Sequence, residues 1–200
     1  MCAMTPETAE GVRERKRRET RQRIAETGLR LFLSSGYEQT TLDTIAAEAG
    51  ISRRTFFSYF KSKEDILFVW QSAGWAIAQQ DLLAASPDEH PLDAVRDVFI
   101  RHVAPYTNSQ MQAIDRLLRS SEPLRARKQA FYEEQERTLF ATLCQIWRQP
   151  QRRPELRMVA MACIGAIRLS LEAWSQQDTP DKPLPDVIRE SFAALRAGMR

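Results

Sequence analysis

The sequence predicts an all-α protein, and three observations carry that prediction. No stretch alternates apolar and polar residues for long enough to make a strand. Apolar residues recur at helical spacing nearly throughout. The interruptions between the periodic runs are short segments rich in Gly, Pro, Ser and Asn, such as "SSGY", "SPDEHP", "QPQRRP" and "TPDKPLP".

Each element follows from its own residues. A first helix is expected from Arg13 to Ser34, with Ile24, Gly28, Leu31 and Phe32 on one face, ending at Gly36 in the left-handed region. A second, Leu42 to Ala49, places Leu42, Ile45, Ala46 and Ala49 on one side and takes Thr41 or Thr40 as its cap. Gly50 reverses the chain, and Ser52 caps a short third helix from Arg53 to about Tyr59. Ser62, with Asp65 three residues on, starts a fourth helix that runs to about Ala85. Further helices fit Leu92 to Ala104, Ser109 to Ser120, Leu124 to Gln149, Glu155 to Gln177 and Asp186 to Met199. The expected total is about nine helices.

Bulk composition narrows the class. The chain has 200 residues, of which 43% are apolar and 28% charged, as in ordinary globular proteins. The net charge of +3 is too small to name a partner. Its distribution says more: from Val12 to Arg23 there are seven basic and two acidic residues. Such a run is either a solvated helix start or a basic arm suited to phosphates. Cys2, Cys144 and Cys163 are odd in number and widely spaced, so reduced thiols are expected rather than a disulfide framework or a zinc site. Cys144 and Cys163 read as small buried hydrophobes, with redox sensing as the alternative. The longest apolar run, Met158 to Ile167, is too short to span a bilayer, and the first residues lack the apolar core of a secretory signal. A cytoplasmic protein without a membrane segment is expected.

The chemistry concentrates in "TIAAEAGISRRTFFSYFKSKEDI", Thr44 to Ile66. The second and third helices with the turn between them form a helix-turn-helix pattern. Phe56 and Phe60 fall on one side of the third helix and would pack against Ile45, Ala49 and Ile51. Arg54 and Ser58 fall on the other, flanked by Thr55 and Phe57, with Arg53 at the exposed start. No acid lies between Ile51 and Lys63, whereas Arg53, Arg54, Lys61 and Lys63 do, so four positive charges stand locally uncompensated. A helix of this size fits the major groove of duplex DNA, where an arginine fork pairs with guanine O6 and N7. Phe57 and the Thr55 methyl suit a thymine methyl. Thr41, Ser52, Ser58, Tyr59 and Lys63 suit phosphate oxygens, as do the capped helix starts.

These residues, together with the preceding "RRETRQRIAETGLRLFLSSGYEQ", resemble the TetR family of bacterial transcriptional regulators over about Arg17 to Leu67. The resemblance implies an all-α fold: an N-terminal helix-turn-helix head with a basic arm over residues 1–62, and a C-terminal effector-binding and dimerisation domain over 63–200. It implies a homodimer that represses from a palindromic double-stranded DNA operator until a small molecule moves the two heads apart. By position, Arg53, Arg54, Thr55 and Phe57 fall where members contact bases. Thr41, Ser52, Ser58, Tyr59 and Lys63 fall where they contact phosphates. Phe57 replaces a common tyrosine and Ser58 a frequent aromatic. Gly28 stands where alanine is usual, a change worth about 1 kcal/mol of helix propensity.

Beyond Leu67 periodicity carries the reading. The Glu155–Gln177 helix is apolar on several faces, and the last helix has one clean stripe. A dimer surface of Val159, Cys163, Ile167, Leu171, Ile188, Phe192 and Leu195 is expected, with a plain monomer core as the alternative. Phe99, His102, Tyr106, Phe140, Trp147 and Met161 are candidates for an effector pocket, against the alternative that such aromatic residues simply pack. Arg168 and Glu172 read as a surface pair, and "RARK", Arg125 to Lys128, as a solvated face. No nucleophile motif, phosphate-binding glycine loop, dinucleotide fingerprint or metal-ligand spacing is present, so neither an enzyme nor a cofactor is expected. A helical adaptor that uses the three-helix head to bind protein is the other class considered. It leaves the cluster of Arg53, Arg54, Lys61 and Lys63 without a purpose.

Overall fold

The computed structural model describes residues 11–105, 107–177 and 181–198. The expectations on Cys2, Tyr106, Met199 and the arm before position 11 lie outside the described residues. Among the described residues every regular element is helical: α1 (Val12–Ser35), α2 (Leu42–Glu48), α3 (Arg53–Phe57), α4 (Lys63–Leu82), α5 (Pro91–Val103), α6 (Asn108–Arg119), α7 (Glu122–Ile146), α8 (Arg153–Ser175) and α9 (Leu184–Gly198). A single 3-10 turn, Pro150–Arg152, precedes α8 and was not expected. The all-α fold, the helix order and the breakers agree with the sequence reading.

The chain divides into two compact units, one ending at Gln71 and the other beginning at Ser72. In the first, α1, α2 and α3 close around Ile24, Ala25, Phe32, Ile45, Phe56, Phe60 and Ile66, all essentially inaccessible to solvent. Burying each of the larger side chains contributes about 1.5–3 kcal/mol. Gly36 ends α1 with φ 86° and ψ 149°. That is positive φ, but with an extended ψ outside the left-handed helical region that was expected. Only glycine tolerates it readily.

In the second unit α8 packs against α5, α6, α7 and α9. Leu156, Ala160, Cys163, Ile167 and Trp174 of α8 are fully buried, as are Leu184 and Ile188 of α9. The two buried indoles find carbonyl acceptors: Trp147 Nε1 donates to Pro87 O (2.8 Å) and Trp174 Nε1 to Lys182 O (2.9 Å). His90 caps α5 by accepting from the Leu92 N–H through Nδ1 (3.3 Å), with Pro91 in the first turn. Among the described residues no helix is long and apolar enough to cross a membrane.

The placement of α8 corrects the expected dimer surface. Val159, Cys163, Ile167, Ile188 and Phe192 are 0–3% exposed within a single chain, so they have no area left to offer a second copy. Leu171 and Leu195 are half-buried. Five of the seven residues of the expected surface are thus the chain's own core. The apolar residues of α8 left open are Met158 (59% exposed), Met161 (46%) and Leu169 (57%).

Candidate nucleic-acid interface

The helix-turn-helix is built largely from main-chain bonds. Thr41 Oγ1 accepts from Thr44 N (3.1 Å) and opens α2; Ser52 Oγ accepts from Thr55 N (3.0 Å) and opens α3. Between them Ile51 N donates to Ala46 O (2.9 Å) and Gly50 N to Ala47 O (3.0 Å). This is the paired closure of a Schellman turn, and it needs Gly50 at φ 65°. The chain leaves α2 with its carbonyls satisfied and enters α3 at a fixed angle.

Phe56 pins α3 inward, 0% exposed, with Phe60 behind it at a ring separation of 5.6 Å. Phe57 stands edge-on to Phe56 (5.7 Å) and is 47% exposed, a large apolar surface to leave in water. Arg54 is exposed and has no side-chain partner among the described residues. The same is true of the Lys61 ammonium.

Arg53 departs from the expectation of uncompensated charge. Its Nη1 reaches both carboxylate oxygens of Asp43 on α2, at 3.1 and 3.3 Å, and its guanidinium lies 5.8 Å from the Phe57 ring centre. The compensating acid sits ten residues upstream, outside the stretch in which the sequence shows none. Lys63 is tethered too. Its Nζ donates to Tyr37 O (2.9 Å) and sits 4.0 Å from the Tyr37 ring centre. Tyr37 in turn donates to Glu64 Oε1 (2.5 Å). Burial works to raise the Glu64 carboxyl, but hydrogen bonds from Ser62 and Tyr37 outweigh it and hold it below the usual range.

The small hydroxyls are partly occupied. Ser58 donates to Thr55 O (2.6 Å), the Ser52 and Thr55 hydroxyls hydrogen-bond each other across 2.8 Å, and those of Thr41 and Thr44 do so across 2.9 Å. Tyr59 is half-buried. Of the nine residues expected to meet DNA, then, Arg54 is exposed with no side-chain partner among the described residues, and Phe57 leaves an apolar ring 47% exposed. Arg53, Ser52, Thr55, Thr41 and Ser58 are exposed or half-exposed but already engaged, and Lys63 is held against Tyr37. The basic run from Arg13 to Arg23 forms the opening turns of α1, and its arginines and lysine are mainly exposed.

The candidate pocket residues have separate surroundings. Phe99 packs on Trp75 (4.5 Å between ring centres) and lines a narrow space of about 10 Å³, smaller than a useful ligand site. His102 Nε2 lies 2.9 Å from the Asp81 carboxylate. Phe140 lies beneath the guanidinium groups of Arg153 and Arg157, each 5.5 Å from its ring centre. Trp147 is buried against Pro87, and Met161 is open to solvent. Cys163 is buried in apolar surroundings that push its thiol well above the ordinary range, which leaves little thiolate for redox chemistry. Cys144 is half-buried.

Two surface readings from the sequence are corrected here. Lys128, placed on a solvated face, is 7% exposed and bonds Asp115 (2.7 Å). Arg168 donates to Gln129 Oε1 (3.3 Å) and makes no ion pair with Glu172 among the described residues.

An inward-pinned α3 with a cationic, aromatic outer side, set on a capped α2, defines a helix-turn-helix. Comparison with known proteins agrees. Residues 24–69 match the model for bacterial regulatory proteins of the tetR family, and residues 89–200, more than half of the chain, match the model for the MftR C-terminal domain. The chain belongs to the TetR family of transcriptional regulators. It is 33% identical over 105 residues to TcmR of Streptomyces glaucescens, covering 52% of this chain and 46% of that protein. It is 36% identical over 92 residues to AcrR of Shigella flexneri, covering 44% and 42%. These matches span about half the length of the curated relatives or less. Among solved structures, Thermus thermophilus FadR, a transcriptional repressor in complex with lauroyl-CoA, is similar with a TM-score of 0.62 and 25% identity over 90% of this chain and 95% of that one. SmeT, the repressor of a Stenotrophomonas maltophilia multidrug efflux pump, shares the fold with a TM-score of 0.61 and 18% identity over 89% of each chain.

Proposed function

We propose that this chain is a cytoplasmic, one-component repressor that binds a palindromic DNA operator as a homodimer and is released by a small molecule. Residues 1–62 act as the DNA-binding head and 63–200 as the effector and dimerisation part. The observation that carries the reading is the outer side of α3, where Arg54 and Phe57 are open while Phe56 behind them is fully enclosed. A rigid rod with a free guanidinium fork and an apolar edge suits base edges in the major groove. Arg53, held by Asp43, and the Thr55 methyl complete the base-reading set. The starts of α2 and α3, with Thr41 and Ser52, and then Ser58, Tyr59 and Lys63, serve the backbone phosphates. The open Met158, Met161 and Leu169 of α8 make the surface for the second copy. Repression and release by an effector rest on family membership. Lauroyl-CoA in the Thermus FadR complex illustrates an acidic, long-chain ligand for a protein of this fold.

The test is selection of bound duplexes from a random pool with the purified full chain. The expected outcome is an inverted repeat whose half-sites are related by two-fold symmetry. Enrichment of no duplex over bulk competitor at low ionic strength would end the proposal.

A further inference from the structure

A recess of about 190 Å³ opens between α6, α7 and α8, lined by Arg119, Arg125, Lys128, Tyr132, Arg168 and Glu172. The sequence reading assigned it no function, and its residues all belong to the second unit. Three of its buried polar atoms, on Tyr132, Arg168 and Arg119, have no hydrogen-bond partner among the described residues.

Tyr132 is 5% exposed, and its hydroxyl has no hydrogen-bond partner among the described residues. Leaving a buried hydroxyl unpaired is unfavourable, because the group has given up its water without gaining a partner. The Nε of Arg168 is likewise buried and unpaired, although Nη1 of the same guanidinium bonds Gln129. Both groups are donors, and both belong to residues that line the recess. Burial and the nearby Asp115 and Glu172 carboxylates push the Tyr132 phenol upward, so it is a neutral O–H donor.

Charge says which acceptor. Arg119, Arg125, Lys128 and Arg168 are cations. Asp115 lies behind the recess, 2.7 Å from both Arg119 Nε and Lys128 Nζ. The Arg119 contact is close but misaligned, since that Nε makes no hydrogen bond. Arg125 pairs with Glu122 at 2.5 Å. Glu172 faces the recess with its carboxylate unpaired among the described residues. Four cations against three carboxylates leave a single positive charge in excess. Such a site fits one negative charge, and Glu172 disfavours a second.

We propose that this recess binds the carboxylate group of a small organic acid, one oxygen accepting from the Tyr132 hydroxyl and the other from Arg168 Nε. Lys128 and Arg119, anchored by Asp115, supply the surrounding field and hold the donors in place. The proposal deepens the effector reading of the C-terminal unit: the effector is a monocarboxylate, and its acid end enters here.

The experiment titrates the full chain with sodium hexanoate, with inorganic phosphate and with hexylamine, at constant ionic strength. Melting temperature and the Arg168 Nε–H resonance report binding. Hexanoate should raise the melting temperature saturably and shift that resonance, with phosphate weaker and hexylamine silent. Tyr132→Phe, which keeps the ring and its packing, should weaken hexanoate by roughly tenfold or more, since hydrogen bonds to a charged group are the strong ones. Arg168→Gln should do the same. Absence of saturation by hexanoate, equal binding to both variants, or tighter binding of phosphate would each overturn the assignment. Duplex binding by anisotropy, run in parallel, separates the two levels. Saturable hexanoate binding that leaves duplex affinity unchanged upholds the recess and removes the release mechanism. Intact duplex binding with no response to hexanoate removes the recess alone.

Discussion

Asp43 on α2 holds Arg53 on α3 through both of its carboxylate oxygens, at 3.1 and 3.3 Å. The side chains are 60% and 65% exposed, so the pair itself contributes no more than about 1 kcal/mol. Its value is orientation. A guanidinium held on one side presents its remaining N–H groups in a fixed direction.

Asp43→Asn should therefore leave the melting temperature nearly unchanged while altering recognition. Loss of the acid removes repulsion against phosphates and frees Arg53. The expected result is tighter binding to all duplexes and a smaller ratio between the selected operator and a scrambled one, measured by anisotropy. An unchanged ratio would show that Asp43 does not orient a base reader.

Arg54 and the two lysines make a matched set. Arg54→Ala should cost about 1–3 kcal/mol on the selected operator and relax preference at one base position. Lys63→Ala should weaken all sequences alike and lower the salt slope by about 0.9. Because Lys63 also bonds Tyr37 O, the same change should lower the melting temperature. Lys61→Ala, exposed and untethered, should move the salt slope without that loss.

The helix-turn-helix was legible because its determinants are local. Thr41, Gly50 and Ser52 act within a few residues of themselves, and Phe56 and Phe60 announce the inner face by spacing alone. Asp43 was missed because a charge was weighed only against neighbours in its own stretch. The dimer stripe was misassigned for a different reason: Cys163 and Ile167 have the same period whether they face a neighbouring helix or a second copy. Lys128 hid for a third. A lysine within "RARK" looks solvated until Asp115, thirteen residues earlier, is seen to reach it.

At Gly28 helix propensity and packing act in opposite directions. On helix propensity, Gly28→Ala should stabilise α1 by about 1 kcal/mol. A Cβ there would lie 2.8 Å from both Cδ1 and Cγ2 of Ile66, whose side chain is fully buried. Overpacking of this kind costs about 1–3 kcal/mol, so a net loss is expected in chemical denaturation. In the background of Ile66→Ala the same substitution should become neutral or favourable. Stabilisation by Gly28→Ala alone would refute the close-packing account.

Lys128→Met tests the buried pair. Removing one partner of a buried ion pair costs about 3–5 kcal/mol, and Arg119 beside Asp115 should keep the loss near the lower figure. The double change Lys128→Met with Asp115→Leu should recover much of it. A double variant as unstable as the single one would mean that Asp115 serves Arg119 more than Lys128.

The turn at Gly50 closes on main-chain atoms, and α3 is anchored by Phe56 from within. Folding thus consults almost nothing that the outer side chains say. Under the proposed base-reading role, changes at positions 53, 54 and 57 would redirect the molecule to a different duplex while leaving the frame standing.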